Sequence, residues 1–320
     1  MARKLRLETA GGIYHVINRG NYRADIFRSE KAKQAFLTCL GEACEQTGWR
    51  VHAWCLMSNH YHLALETPHA NLIEGMRWLQ GTFSVRFNRL REERGHLFQG
   101  RYKSLIVDPE QGLGALCHYI HLNPVRAKLR TLAQLADWPW SSLHWLHQPR
   151  NRAPWFSPHA ALAHAGSLAD TPAGRRKYAE YLAWLCEDEP ARKALQFDRM
   201  SSGWMIGSQG FRKELVQAHA AAADTLRRGE DLETQDLVEA MRQDALAEAL
   251  RKLGKTRQDI IRDPKSAAWK VAVAATLKKR TTATNRWLAE QLRMGGLHEV
   301  SRKVSAWTKT PNPEFTQLLG

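Results

Sequence analysis

Short strand-like runs alternate with longer helix-like stripes over the first 128 residues, and this alternation restricts the fold more than any other feature of the sequence. The strand-like runs, rich in β-branched and aromatic residues, are residues 12–18, 49–57, 60–66 and 102–107. The helix-like stripes, with apolar side chains at helical spacing, are residues 27–47, 71–94 and 112–128. Together they give the order β-α-β-β-α-β-α, which predicts an α+β fold.

That order is typical of a ferredoxin-like α/β sandwich, an antiparallel sheet with helices packed on it. The rest of the chain predicts mostly helices, beginning with residues 175–253. Near the end, Thr281-Thr282 can cap a helix that runs to Leu292, and Gly295-Gly296 makes a turn. A basic helix then follows over residues 297–307. This pair of helices predicts a helix-turn-helix in the C-terminal region.

The formal charge of +15 is unevenly distributed along the chain. Residues 1–150 hold 20 Lys/Arg against 12 Asp/Glu, residues 151–250 hold 12 against 15, and residues 251–320 hold 15 against 5. We therefore predict three segments with these bounds: an α+β domain, a helical extension that contains tryptophan, and a basic region. A solvated basic surface would be a simple explanation, but segregated cations favour a polyanionic partner, and nucleic acid is the leading class.

The cysteines and the apolar runs indicate the compartment. The five cysteines form no CxxC pair, which favours a reduced cytosol over a disulfide framework. The first twelve residues contain no apolar run of the signal-peptide type, and no run approaches the roughly 18 apolar residues of a membrane span. We expect a cytoplasmic protein, associated with the nucleoid, that has no membrane partner.

His60 and His62 form the first candidate for chemistry. Two residues apart in a predicted strand, they point to the same face, while Tyr61 points to the core. Such a pair can chelate one divalent ion, which would polarise a phosphodiester oxygen. An isolated pair of this kind is more often two polar residues on the wet face of a sheet, so a third ligand and a nucleophile are needed.

Both are available on the predicted helix over residues 112–128. Tyr119 and Asn123 are four apart and share one helical face, so a phenol and an amide oxygen could complete the site. A core tyrosine is the alternative for Tyr119. His118 and His121 form a rival metal-binding pair, which spacing alone does not exclude.

Other common catalytic motifs are absent from the sequence. There is no GxxxxGK[ST] phosphate loop, no HExxH and no GxSxG. Asp108-Pro109-Glu110 fits a turn and a helix start better than a metal site. The remaining acidic residues of the first 150 are scattered, which disfavours a two-metal mechanism.

Three ordered motifs carry a family resemblance. Residues 14–21 (YHVINRGN), 57–63 (MSNHYHL) and 119–127 (YIHLNPVRA) resemble segments of the single-tyrosine transposases of small bacterial insertion sequences. The branch they resemble most is the REP-associated tyrosine transposases. Residues 140–142 (WSS) and 207–211 (GSQGF) are similar to later segments of that branch.

The resemblance implies a HUH endonuclease, in which two histidines flank a bulky apolar residue, here Tyr61. It implies that His60, His62 and Asn123 bind Mg²⁺ or Mn²⁺. Tyr119 would attack a DNA phosphate, leaving a 5′-phosphotyrosine and a free 3′-OH, so that the strand can be rejoined without ATP. The implied substrate is single-stranded DNA beside imperfect palindromic hairpins.

Charge and loop position suggest the strand contacts, which we expect to be Arg19, Asn21, Arg101 and Lys103. The C-terminal helix pair is distantly similar to the helix-turn-helix of bacterial replication initiators, and Arg302 and Lys303 are its expected contacts with duplex or hairpin DNA. We expect a monomer or a homodimer.

Two other functions remain open at this stage. One is a catalytically silent protein that binds and regulates repetitive hairpin DNA. The other is a ferredoxin-like RNA-binding protein, which would need aromatic residues on an open sheet face.

Overall fold

The computed structural model describes residues 7–218, 232–281 and 283–319. The chain divides into two compact units, one spanning Arg6–Phe211 and the other containing the described residues from Arg212 onward. This division differs from the three segments predicted from charge, with boundaries at residues 150 and 250. The reason is packing, since apolar side chains of residues 161–206 belong to the same core as the sheet.

The first unit is built on a five-stranded sheet in the order β2-β3-β1-β4-β5. The strands are β1 Gly12–Arg19, β2 Arg50–Leu56, β3 His60–Thr67, β4 Lys103–Val107 and β5 Met205–Ile206. Neighbours among β1 to β4 are antiparallel, as predicted. A fifth strand, which was not predicted, makes the sheet mixed, because β5 pairs with β4 in parallel.

The helices confirm the predicted β-α-β-β-α-β-α order. Those of residues 30–218 are α1 Glu30–Thr47, α2 Leu72–Arg91, α3 Leu113–His121, α4 Asn123–Arg126, α5 Ser142–His147, α6 His159–His164, α7 Pro172–Glu187, α8 Glu189–Ala194 and α9 Gln209–Ala218. Ser29 caps the start of α1 by accepting from the amide of Ala32, and Gly48 ends the helix in the left-handed conformation.

The central strands are covered on both faces. On one face, Tyr61 packs in an aromatic cluster with Phe27, Phe36 and Phe83, with ring centroids 4.7 Å apart for Phe36 and Tyr61. On the other face, α3 packs against β2 and β3 and also contacts α6. The alternative of a ferredoxin-like RNA-binding protein needs a sheet face that is open to solvent. Among the described residues, neither β1 nor β3 has such a face.

The helix predicted over residues 112–128 is interrupted at Leu122, between α3 and α4. Pro124 has no amide hydrogen and cannot continue the helical hydrogen-bond ladder. The chain still turns in the same sense, since the amides of Leu122 and Arg126 bond to the carbonyls of His118 and Leu122. The residues after the break therefore continue roughly along α3.

Asp108 confirms the predicted turn and helix start. One carboxylate oxygen accepts the amides of Glu110 and Gln111, and the other accepts the amide and hydroxyl of Ser208. Gly207 has a φ of +141°, and a Cβ there would lie 2.1 Å from the Asp108 Cβ. Through Ser208, the motif at residues 207–211 therefore connects the end of β5 to Asp108, which directly follows β4.

The second unit is helical. After α9, the helices of its described residues are α10 Leu232–Lys252, α11 Arg257–Arg262, α12 Ala268–Arg280, α13 Asn285–Gln291, α14 Leu297–Lys309 and α15 Pro313–Leu319. The predicted helix pair corresponds to α13 and α14, but the expected cap at Thr281-Thr282 is wrong. Thr284 caps α13, accepting the amide of Trp287, and Thr282 lies outside the described residues.

No helix within the described ranges combines the length and the apolarity that a membrane crossing requires.

Candidate active site

The first residues of β3, which include His60 and His62, lie beside the last residues of β1. His60 is paired in register with Arg19, and His62 with Ile17. The two imidazole rings share one face of the sheet, with centroids 5.0 Å apart, whereas Tyr61 is fully buried on the opposite face. The orientation predicted from strand periodicity is confirmed.

His60 is oriented by its neighbour Asn59. The amide nitrogen of Asn59 donates to the carbonyl oxygen of Arg23, so its oxygen faces the ring. His60 Nδ1 lies 2.6 Å from that oxygen and must donate to it. In a neutral ring this leaves Nε2 unprotonated, the form in which imidazole binds a metal.

His62 is 4% exposed and contacts another imidazole that sequence reasoning did not select. Its Nδ1 lies 2.9 Å from Nε2 of His15, on β1. His15 Nδ1 in turn lies 2.6 Å from the carbonyl oxygen of Met200. Three histidines, His15, His60 and His62, therefore stand on the sheet face that α3 covers.

Burial keeps these imidazoles neutral. Burial lowers the pKa of His62 well below 6.5, and the neighbouring His15, His60 and Arg126 lower this pKa further. The pKa of His60 is lowered by burial and by Arg19. That of His15 falls to about 4, again chiefly through burial. A neutral imidazole is the ligand form that a divalent cation needs.

Tyr119 packs edge-on against this group, its ring centroid 5.9 Å from those of both His15 and His62. The residue is 6% exposed, and its hydroxyl lies 2.8 Å from the hydroxyl of Ser201. The guanidinium of Arg126 stands 4.3 Å above the ring. Its position next to the candidate ligand His62 separates Tyr119 from an ordinary core tyrosine.

Asn123 is 7% exposed, and its amide nitrogen has no hydrogen-bond partner among the described residues. The two ends of an amide group are interchangeable in such an assignment, so an unpartnered amide can offer an oxygen instead. By residue type, the imidazoles of His60 and His62 and the amide oxygen of Asn123 are N and O donors of the kind that binds Mg²⁺ or Mn²⁺. The residues therefore fit the ion that the resemblance implies.

The rival pair, His118 and His121, lies in a different, buried network. Both Nδ1 atoms contact the hydroxyl of Tyr178, at 2.9 Å and 2.8 Å. The Nε2 atoms contact His164 and Ser142, at 3.0 Å and 2.8 Å. All four ring nitrogens thus have protein partners, so this pair connects α3 to α5, α6 and α7 and has no nitrogen left for a metal.

This network predicts a loss of stability in acid. Burial lowers the pKa of His118 well below 6.5 and that of His121 to about 3. Between those values and about 6.5 the unfolded chain binds protons that the folded chain does not, so the free energy of unfolding falls as the pH falls, by up to about 1.4 kcal/mol per pH unit for each histidine. We expect a lower urea midpoint at about pH 5 than at about pH 7.5 by tryptophan fluorescence. Equal midpoints would contradict this.

The predicted strand contacts lie around the same end of the sheet. Arg19 and Arg101 are exposed, and Asn21 uses its side-chain oxygen to accept the amide of Tyr22. Lys103, on β4, donates to the carbonyl oxygen of Ser201 at 3.1 Å. Arg19 is paired with His60, which places one of these cations beside the candidate ligands.

In the second unit, α14 buries Val300 and Val304 and exposes Arg302. Lys303 is different, because its ammonium lies 2.7 Å from Glu299 and its side chain is only 17% exposed. Arg302 is therefore the freer of the two predicted contacts.

Sequence reasoning missed three contributors to the site: His15, Arg126 and Ser201. His15 left a signal, since it is a polar residue on the same strand face as apolar Ile13 and Ile17. Arg126 was part of a recognised motif but received no role. Ser201 comes from a distant segment and left no signal in the sequence.

A comparison with curated proteins found no match. Among solved structures, the chain is similar to one described as a REP-associated tyrosine transposase bound to a REP hairpin, with 18% identity, a TM-score of 0.39, and coverage of 48% of this chain and 89% of the other. Residues 9–123 match the family described as transposase, IS200 like. These residues include β1 to β4 and every predicted ligand and nucleophile. Over residues 9–123, the chain is therefore similar to the IS200-like transposase family.

Proposed function

We propose that the protein is a metal-dependent endonuclease and transposase that cuts and rejoins single-stranded DNA with Tyr119 as nucleophile. The observation that carries this proposal is the position of the Tyr119 ring, whose centroid lies 5.9 Å from that of His62, the imidazole that shares a sheet face with His60. A protein that only binds DNA has no need for this combination. His60, His62 and Asn123 would hold Mg²⁺ or Mn²⁺.

The reaction is a transesterification. The ion, held by His60, His62 and Asn123, would supply charge stabilisation at a phosphodiester oxygen. The phenol oxygen of Tyr119 loses its proton and forms a bond to phosphorus, while the bond from phosphorus to O3′ breaks and the departing oxygen takes up a proton. The products are a 5′-phosphotyrosine and a free 3′-OH. Attack by a 3′-OH on the phosphotyrosine reverses the step and rejoins the strand.

Arg126 fits a supporting role in this reaction. Its guanidinium lies at the face of the Tyr119 ring, so the same cation can contact the phosphate that the tyrosine attacks. Arg19, Asn21, Arg101 and Lys103 are the proposed contacts with the flanking strand. Because the sequence motifs resemble those of the REP-associated branch, the proposed substrate is a strand next to a palindromic hairpin.

In the second unit, α13 and α14 are proposed to add affinity for the hairpin through Arg302, with Lys303 as a weaker contact. The segregated positive charge of residues 251–320 supports this assignment.

The test is incubation of the full chain with an end-labelled, hairpin-flanked single strand, with and without Mn²⁺, followed by a denaturing gel. We expect a covalent protein–DNA adduct that needs Mn²⁺ and is absent in Tyr119→Phe, because phenylalanine has no nucleophilic oxygen. Tyr181→Phe, which removes an unrelated tyrosine hydroxyl, should keep the adduct. In binding assays, Arg302→Ala should bind the hairpin more weakly and still cut a short strand.

The same experiment distinguishes the catalytically silent alternative. Hairpin binding without any adduct would favour a DNA-binding regulator. An adduct that persists in Tyr119→Phe would contradict the nucleophile assignment.

A further inference from the structure

His15 connects the candidate ligand His62 to the backbone of a distant part of the chain. His15 Nε2 lies 2.9 Å from His62 Nδ1, and His15 Nδ1 lies 2.6 Å from the carbonyl oxygen of Met200, which is 185 residues away in sequence. His15 and Met200 are 0% and 1% exposed, so these hydrogen bonds are made away from water. The planes of the two imidazole rings are 25° apart, which suits a bond between ring edges.

The Met200 carbonyl sets the direction of both hydrogen bonds. A carbonyl oxygen only accepts, so His15 Nδ1 carries a hydrogen and donates to it. A neutral imidazole has one N–H, which leaves His15 Nε2 as an acceptor. The hydrogen between the two rings therefore sits on His62 Nδ1. The reverse direction would place two acceptors, Nδ1 and the carbonyl oxygen, 2.6 Å apart.

We propose that His15, anchored by the Met200 carbonyl, is a positioning residue that holds His62 in the tautomer whose Nε2 can bind the divalent ion. Partners behind metal-binding histidines commonly fix the tautomer and the ring orientation in this way. Asn59 provides the same arrangement for His60. The role of the ion rests on the proposed function, but the tautomer is a property of the metal-free protein.

This arrangement extends the site beyond the segment that matches the family. Met200 and Ser201 follow residue 123 by almost eighty positions and contact both halves of the site, Met200 through His15 and Ser201 through the Tyr119 hydroxyl. A chain that ended at residue 150 would lack both contacts. The division into two units at residue 211 keeps them with the sheet.

The direct test is long-range proton–nitrogen NMR on the metal-free full chain labelled in its histidine rings. We expect His62 to carry its hydrogen on Nδ1 and to have an unprotonated Nε2. Calorimetric titration with Mn²⁺ gives a second readout. His15→Phe, which removes both hydrogen bonds, should weaken Mn²⁺ binding by about 10- to 100-fold. His15→Gln should be intermediate, because its amide can donate to Met200 and accept from His62.

His144→Phe is the matched control. It removes an imidazole whose Nδ1 also contacts a backbone carbonyl, that of Ala136 at 2.9 Å, and it should leave Mn²⁺ affinity unchanged. A wild-type spectrum with the His62 hydrogen on Nε2 would overturn the proposal, as would a folded His15→Phe protein with wild-type affinity. If the wild-type protein bound no Mn²⁺, the metal-dependent function would fail, while the spectrum would still decide the role of His15.

Discussion

Tyr178→Phe is expected to lower the free energy of unfolding by about 2–6 kcal/mol, because one hydroxyl forms hydrogen bonds with two buried histidines. Its oxygen lies 2.9 Å and 2.8 Å from Nδ1 of His118 and His121, and all three residues are fully buried. Removal of the hydroxyl leaves two buried ring nitrogens without a partner, at about 1–3 kcal/mol each. Urea unfolding monitored by circular dichroism measures the change.

Tyr181→Phe provides the comparison for this experiment. Tyr181 lies one helical turn from Tyr178 on α7, is only partly buried, and contacts His118 through its ring, not through either of those hydrogen bonds. Its substitution should have a much smaller effect. If both variants lost the same stability, the histidine network would not be the cause.

His62→Ala is expected to reduce the rate of adduct formation by about a thousandfold or more and to weaken Mn²⁺ binding. A bound ion contributes several kcal/mol of transition-state stabilisation, and each 1.4 kcal/mol is about tenfold in rate. His62 is also the proposed ligand next to the Tyr119 ring, so its loss should affect both the ion and the packing of the proposed nucleophile. Single-turnover kinetics over a range of Mn²⁺ concentrations separates binding from chemistry.

The control for His62→Ala is His69→Ala, which removes an exposed histidine on the loop after β3. That variant should cut at the wild-type rate. Residual cutting by His62→Ala that is independent of Mn²⁺ would mean that the ion is not held as proposed. Recovery at high Mn²⁺ would indicate a ligand that contributes mainly to affinity.

The order of strands and helices could be predicted from sequence because each pattern is local. Strand periodicity placed His60 and His62 on one face and Tyr61 on the other, and helix spacing brought Tyr119 to the side of the sheet that they occupy. The fifth strand could not be predicted, since two residues carry no periodicity and Met205 pairs with Ile106 across a long interval of chain.

The sequence predicted the candidate ligands and nucleophile of the site, but not the residues that form hydrogen bonds with them. His15 contacts His62 because the strand register places it diagonally across from His62. The Met200 carbonyl, which bonds to His15, lies about eighty residues after Tyr119 in the chain. Such contacts arise from tertiary packing. The predicted domain boundaries differ from the two packed units for a related reason, because charge distribution does not show that Leu162, Tyr178 and Leu182 share a core with the sheet.

The most direct measurement of the central claim is the site of DNA attachment. The adduct formed with Mn²⁺ would be digested with nuclease and trypsin and the modified peptide sequenced by tandem mass spectrometry. We predict a nucleotide joined through its 5′-phosphate to Tyr119, in the peptide of residues 104–126, where Tyr119 is the single tyrosine. A nucleotide on any other residue, or strand cutting with no covalent product, would contradict the account.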